Sequence, residues 1–441
     1  MTFASQAKDN LLEIISEMTM HVEDFVIDPT RDFSRCKKLP FATMLQLLIS
    51  MGTGTMRSEL LRYFSYSAET ATNSAFVQQR AKLSNNVMPY ILKKFNEKYS
   101  SYSLYKGKYQ LLAVDGSTFT FTRNSKDSDT YFEPNFKSTY GFNQVHLVPS
   151  FDLLSKRYLD CIIQPIRKKN EFNALCQLID SHQRVEGTIP IFIADRGFHA
   201  LNVFAHAIEN NAYFLIRATD VKTNRLLDHD APNTDCYDIW IHRILSRSQS
   251  KSKHLHPDSE HLYKYICADV TFDYINDIDK EYEINLRIIR LKLPNGNYEN
   301  IITNLPGNYF TTEDIQHIYN LRWGIETSFR ELKHDIGAQN FHAKSIAGIE
   351  MELWARLILY NFCSIITQNV VFKQCSKKHE YQVNYSVAIK ACTYYLRLRN
   401  CDKPPDIESL ISKNLLPIRP NRNYAHNHRF QIPVSFTYRF A

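Results

Sequence analysis

Two aspartates occupy matching places in this 441-residue sequence. Asp115 in "AVDGS" and Asp195 in "IADRGF" each end a short apolar run, with a glycine close behind. A buried strand followed by a turn gives that pattern. Open α/β sheets place their ligands at the carboxyl edge, where such residues would lie. Gly116 and Gly197 are expected to allow tight turns that leave the carboxylates exposed. Two carboxylates from neighbouring strands are hard oxygen ligands, suited to Mg2+ or Mn2+ and poor for zinc. The plainer alternative has Asp115 opening a turn and Asp195 pairing with Arg196.

A third acid comes from "YNLRWGIETSFRELK", Tyr319 to Lys333. On a helical wheel at about 100° per residue with Tyr319 at zero, Arg322 falls at about −60°, Glu326 at about −20° and Lys333 at about −40°. These four form one narrow stripe, and Glu326 is its only carboxylate. Trp323, Ile325, Phe329 and Leu332 fall on other sides and are expected to anchor the helix. Arg322 and Glu326 at i, i+4 could form a surface salt bridge worth a few tenths of a kcal/mol. That explains neither Tyr319 nor Lys333. A phosphate-processing site explains all four. Glu326 completes three carboxylates for two metal ions about 3.5–4 Å apart, Arg322 and Lys333 hold adjacent phosphates, and Tyr319 donates to a backbone phosphate.

The elements around these residues follow from periodicity. Residues 1–105 read as helical, with apolar spacing in "FATMLQLLISMG" and "SELLRYFSY". Asn73 or Ser74 can cap a short helix that displays Gln78, Gln79, Arg80 and Lys82. A short capped helix with polar and basic groups, following another helix, fits a helix-turn-helix reader of DNA. The alternative is the solvated face of a helical bundle. From about 108 the chain reads as alternating strands and helices: "HLVPSFDLL" and "RYLDCIIQPI" as strands, "NEFNALCQLIDSH" and "FHALNVFAHAIENN" as helices, "AYFLIRA" as a strand. That alternation predicts an α/β core over 106–217 and 306–372. Residues 218–305 read as an all-β insertion, with "PNGN" as a hairpin turn and "SRSQSKSKHLHPDSE" as a polar loop. Residues 373–441 read as a C-terminal helical region with a basic tail.

Composition bounds the class. Hydrophobic residues at 44% and aromatics at 13% suffice for a sizeable core, which excludes a wholly disordered chain. A net charge of +7 suits a phosphate-bearing partner without requiring one. The nine cysteines form no C-x-x-C pair and are odd in number, which points to reduced, mostly buried thiols. "MTFASQAKDNLLEIISEM" has early acids and no long apolar core, so it does not read as a signal peptide. "LWARLILYNFCSIITQNVVF" includes Arg356 and reads as a buried helix rather than a membrane span. A cytoplasmic protein is expected.

Asp115 in "AVDGS", Asp195 in "IADRGF" and the spacing Y-x2-R-x3-E-x6-K resemble the DDE transposases of bacterial insertion sequences, specifically the insertion-sequence-4 family. "SAFVQQRAKL", "NEFNALCQLID", "ITNLP" and "PIRPNRNY" are also similar, so the resemblance spans most of the chain. It implies a ribonuclease-H-like α/β core interrupted by a β-rich insertion. It implies that Asp115, Asp195 and Glu326 hold two Mg2+ or Mn2+ ions, and that Tyr319, Arg322 and Lys333 grip the transposon-end backbone. The implied partners are double-stranded DNA, as terminal inverted repeats and target, and a second copy of the chain in a synaptic dimer. The implied reaction is nicking of the end, formation and resolution of a hairpin, and strand transfer. In such members a tryptophan of the insertion stacks on a flipped base; Trp240 is the only tryptophan of that block here, and its position is not aligned to that role.

Two other readings compete. A metal-dependent nuclease on the same core needs the acids but gives no reason for the Arg and Lys stripe. A catalytically dead, transposase-derived DNA-binding protein sits badly with three intact acids. His254, His256, His426 and His428 lack the closed spacing of a zinc site.

Overall fold

The two apolar runs that end in aspartate become adjacent strands of one 11-stranded sheet in the computed structural model. The structure describes residues 2–35, 38–100, 103–134, 140–249, 262–370, 380–398 and 404–418. The strands are β1 (Tyr109–Val114), β2 (Ser117–Phe121), β3 (Tyr131–Phe132), β4 (Phe142–Asp152), β5 (Arg157–Pro165), β6 (Ile189–Ala194), β7 (Tyr213–Ala218), β8 (Tyr237–Ser246), β9 (Tyr263–Tyr265), β10 (Glu281–Lys292) and β11 (Tyr298–Thr303).

The core of the sheet runs β5-β4-β1-β6-β7. β4 is antiparallel to both β5 and β1, whereas β1, β6 and β7 are parallel. Helix α6 (Glu171–Ser181) crosses from β5 to β6, and α7 (Leu201–Glu209) crosses from β6 to β7. Three antiparallel strands followed by two parallel ones with helical crossovers make this a ribonuclease-H-like mixed α/β core. Alternate residues of the central strands enter two different cores. Leu111, Ala113, Ile191 and Ile193 join one, and Leu112, Val114, Phe192 and Ala194 join the other. Burial on both faces is why these strands read as continuous apolar runs.

The β-rich block extends the same sheet. β11 pairs antiparallel with β7, and β10, β8 and β9 follow outward. Asn295 and Gly296 make the β10–β11 turn, with Gly296 at φ 85°, a conformation that favours glycine. Two elements depart from the sequence reading. "STFTF" forms β2, an alternating strand directly after the first aspartate turn. "DVKTNRLL" forms helix α8 (Asp220–Leu227) at the start of the supposedly all-β block, capped by Thr219.

Five helices precede the sheet: α1 (Phe3–Thr19), α2 (Phe41–Ser50), α3 (Met56–Tyr63), α4 (Asn73–Arg80) and α5 (Val87–Glu97). After the sheet come α9 (Thr312–Leu321), α10 (Trp323–Arg330), a π-helical turn (Glu331–Asp335) and α11 (Ile346–Gln368). The 23-residue α11 is buried on nearly every side, because α1, α2, α5 and β5 all pack on it. One hydrophobic cluster therefore joins the N-terminal helices, one sheet face and the C-terminal helices. No helix among the described residues is long and apolar enough to cross a membrane. Cys161, Cys176, Cys363 and Cys392 are buried free thiols, while Cys236 and Cys267 are free and exposed.

Candidate active site

Val114 and Ala194 are register partners in the parallel β1–β6 pair, so Asp115 and Asp195 leave the sheet side by side at one edge. Asp115 Oδ1 accepts from the Gly116 N–H at 2.8 Å, and Asp195 Oδ1 accepts from the Gly197 N–H at 2.7 Å. Arg196 is exposed and makes no ion pair with Asp195 among the described residues. Neither glycine adopts a left-handed backbone, so the reason for glycine differs from the expected turn. At Gly116 it is close approach: a Cβ there would stand 2.4 Å from Glu171 Oε1 and 2.5 Å from His146 Nε2.

Glu326 comes from α10, which is fastened to the sheet by buried polar contacts. Tyr158 on β5 meets Ser328 Oγ at 2.8 Å, and Ser328 donates to the Ile325 carbonyl at 2.7 Å. One turn on, Tyr360 of α11 donates to Glu331 Oε2 at 2.8 Å. Ile325, Phe329 and Leu332 are buried as anchors, but Trp323 is 60% exposed and does not anchor the helix. Its ring instead lies 5.4 Å from the Arg322 guanidinium carbon, with the Tyr319 ring at 5.5 Å.

Arg322 links the acids. Its Nη1 is 3.0 Å from Glu326 Oε1 and 3.9 Å from Asp115 Oδ2. Burial is the main reason that the Asp115 carboxyl is pushed up to about 6; the Gly116 N–H works against the rise, and the Asp195 and Glu326 charges add to it. Arg322 Nε and Tyr319 Oη are both buried without a hydrogen-bond partner among the described residues. Donors left in that state are suited to an incoming acceptor such as a phosphate oxygen. The sequence reading missed the outer shell. Arg217 of β7 pairs with buried Glu299 of β11 at 3.2 Å, next to Arg322 and Tyr319. Lys222 of α8 is near enough to Asp195 to feel its charge. Their signal was weak, because each lies in a segment read as ordinary strand or loop.

Lys333 lies beyond the α-helical part of that segment, so the wheel does not fix its position. It lies in the π turn, with Nζ 4.9 Å from the centre of the buried Phe119 ring on β2. Burial pushes its ammonium below the ordinary lysine range, and it forms no ion pair among the described residues. Both the break at Arg322 and the wider π turn interrupt the 100° spacing that the wheel assumed.

Three hard carboxylates, coupled in charge and edged by a strand terminus, are the donor chemistry that divalent cations prefer. No three His, Cys, Asp or Glu side chains among the described residues form a closed metal-binding group. Arg322 stands between two of the acids in this arrangement, providing the positive charge.

Residues expected to read DNA near the N-terminus separate into two kinds. Gln79 and Arg80 are buried: Gln79 donates to the Leu39 carbonyl, and Arg80 pairs with buried Glu352 of α11 at 2.7 Å. They face inward because α4 packs against the protein body. Gln78 is exposed, and Lys82 is partly exposed and 3.5 Å from Asp32. Trp240 on β8 is 50% exposed. His254, His256, His426, His428 and residues 419–424 of the basic tail lie outside the described residues.

No curated protein matches the chain. Among solved structures, the cryo-EM structure of a piggyBac transposase synaptic complex with hairpin DNA is similar, at 12% identity and a TM-score of 0.44, covering 95% of this chain and 87% of that one. The family described as the transposase DDE domain matches residues 106–362, more than half of the sequence and including all three acids, and the chain belongs to that family.

Proposed function

We propose that the chain is an insertion-sequence-4-type transposase that binds the ends of its own element and moves them by cut-and-paste through a DNA hairpin. The carrying observation is that Asp115 and Asp195 end neighbouring parallel strands while Arg322 holds Glu326 beside Asp115. Bound by these three acids, two Mg2+ or Mn2+ ions would activate the attacking oxygen and stabilise the leaving one.

The chain's own residues supply the rest. Arg322 offers a planar fork to a phosphate, with its Nε lacking a hydrogen-bond partner among the described residues. Tyr319 Oη would donate to the same backbone, and Lys333 would hold an adjacent phosphate from the π turn. The attack is in line, by water first and by a DNA 3′-hydroxyl later, so no covalent protein intermediate is required. Gln78 and Lys82 on and after α4 would contact the terminal repeats, leaving Gln79 and Arg80 to structural duties. Two copies would pair the two ends in a synaptic complex, acting on nucleoid DNA.

The test is cleavage of duplex ends by Asp115→Asn, Asp195→Asn and Glu326→Gln. Each is expected to abolish Mg2+-dependent cutting and to bind ends with wild-type affinity. Full cutting by any of them would remove that residue from the site. Cutting without strand transfer by the unaltered protein would reduce the activity to that of a nuclease, and binding without cutting to that of a DNA-binding relative.

A further inference from the structure

Gly116 joins the Asp115 turn to a polar pair from two other elements. His146 on β4 is 2% exposed, and its Nε2 lies 2.8 Å from Glu171 Oε1. The histidine contact is the chief reason that the Glu171 carboxyl sits below the usual range, so it is ionised and can only accept. Nε2 therefore carries a ring proton and donates to it, while Nδ1 lies 3.4 Å from Thr118 Oγ1. Glu171 is the first residue of α6, where the helix dipole favours a carboxylate. Lys169 Nζ stands 3.4 Å from the same oxygen.

This pair fills the space beside Gly116 that a side chain would need, since a Cβ there would stand 2.4 Å from Glu171 Oε1 and 2.5 Å from His146 Nε2. The Gly116 N–H is in turn the donor that orients Asp115 Oδ1. A buried polar pair costs desolvation, and an apolar contact would support a turn more cheaply. What the pair adds is a fixed direction: a short hydrogen bond orients the ring and carboxylate, and together they wall the side of Gly116, whose N–H donates to Asp115 Oδ1.

We propose that His146 and Glu171 are a positioning pair that sets the orientation of Asp115 through Gly116. The inference rests on the transposase reading of Asp115. Residues of this kind, one contact removed from the reacting groups, typically change activity about 10–100-fold when removed.

The experiment uses the full-length protein and duplex ends bound before Mg2+ is added. Glu171→Ala is expected to slow single-turnover cleavage by about 10–100-fold, with end affinity and thermal midpoint near wild type. Glu171→Gln keeps a side-chain oxygen that accepts from Nε2–H, so it should recover most of the lost rate. Gly116→Ala should slow cleavage similarly, and Gly116→Ala with Glu171→Ala should be less than multiplicative, as expected for groups acting through one another. The inference fails if Glu171→Ala cleaves at the wild-type rate, if Glu171→Gln is as slow as Glu171→Ala, or if the rate falls only in step with stability. Asp115→Asn in the same assay separates the two levels. Its cleavage would overturn the transposase reading, whereas an inert Asp115→Asn beside a wild-type Glu171→Ala would overturn the positioning role alone.

Discussion

Arg322 Nη1 lies 3.0 Å from Glu326 Oε1 and 3.9 Å from Asp115 Oδ2, so one buried guanidinium joins a helix acid to a strand-end acid. Arg322→Ala leaves both carboxylates without that cation and removes the fork offered to a phosphate. Cleavage of pre-bound ends should fall by about 10²-fold or more, the usual cost of losing a charge-stabilising donor. Arg322→Lys restores the charge without the planar fork and should recover only part of the rate. Wild-type kinetics in Arg322→Ala would exclude this assignment.

Lys333 faces Phe119 from the π turn and has burial, not an acid, as its main influence. Lys333→Met keeps the packing and drops the charge. Stability in urea should stay within about 1 kcal/mol. End binding should weaken, and its salt dependence should lose about one phosphate contact. An unchanged salt slope would mean that Lys333 meets no phosphate.

Arg80 and Glu352 are both buried and 2.7 Å apart. Arg80→Ala removes the arginine from a buried carboxylate and leaves it only the His342 contacts, which should cost about 3–5 kcal/mol in chemical unfolding. Gln78→Ala, on the exposed side of the same helix, should change stability by under about 0.5 kcal/mol while altering protection of the element's ends in footprinting. Equal stability of the two variants would contradict the inward placement of Arg80.

Burial, aided by Arg184, pushes the His182 ring down to about 4; burial, aided by Lys222, does the same to His199. The fold thus favours both neutral rings. Their stabilisation is complete above the ordinary histidine value of about 6.5 and is lost as pH falls from there towards 4. Unfolding free energy should drop by a few kcal/mol in total across that window. His182→Gln should flatten part of the slope, measured by urea titration at stepped pH. A slope unaltered in that variant would place the acid sensitivity elsewhere.

Much of the core was legible because its signals are local. The four residues before Asp115 and the six before Asp195 are all apolar, as a strand buried on both faces requires, and both runs became adjacent parallel strands. β2 and α8 were missed because each is short and borders a stronger pattern. The wheel found Arg322 and Glu326 together, but Trp323 is exposed and Lys333 sits in a π turn, where the spacing of an unbroken α-helix does not hold.

Which residues are available for chemistry is set along the chain: three acids, a Tyr-Arg-Glu-Lys series, and the strands and helices that carry them. Periodicity and residue type are properties of neighbouring positions, so no folding is needed to read them. Tertiary structure alone decided which side chains face which. It turned Gln79 and Arg80 inward onto the Leu39 carbonyl and α11, brought the Arg322–Glu326 pair up to Asp115, and set Gly116 against His146 and Glu171. Those contacts join residues up to hundreds of positions apart, and they are fixed by the packing of one shared core rather than by any local preference.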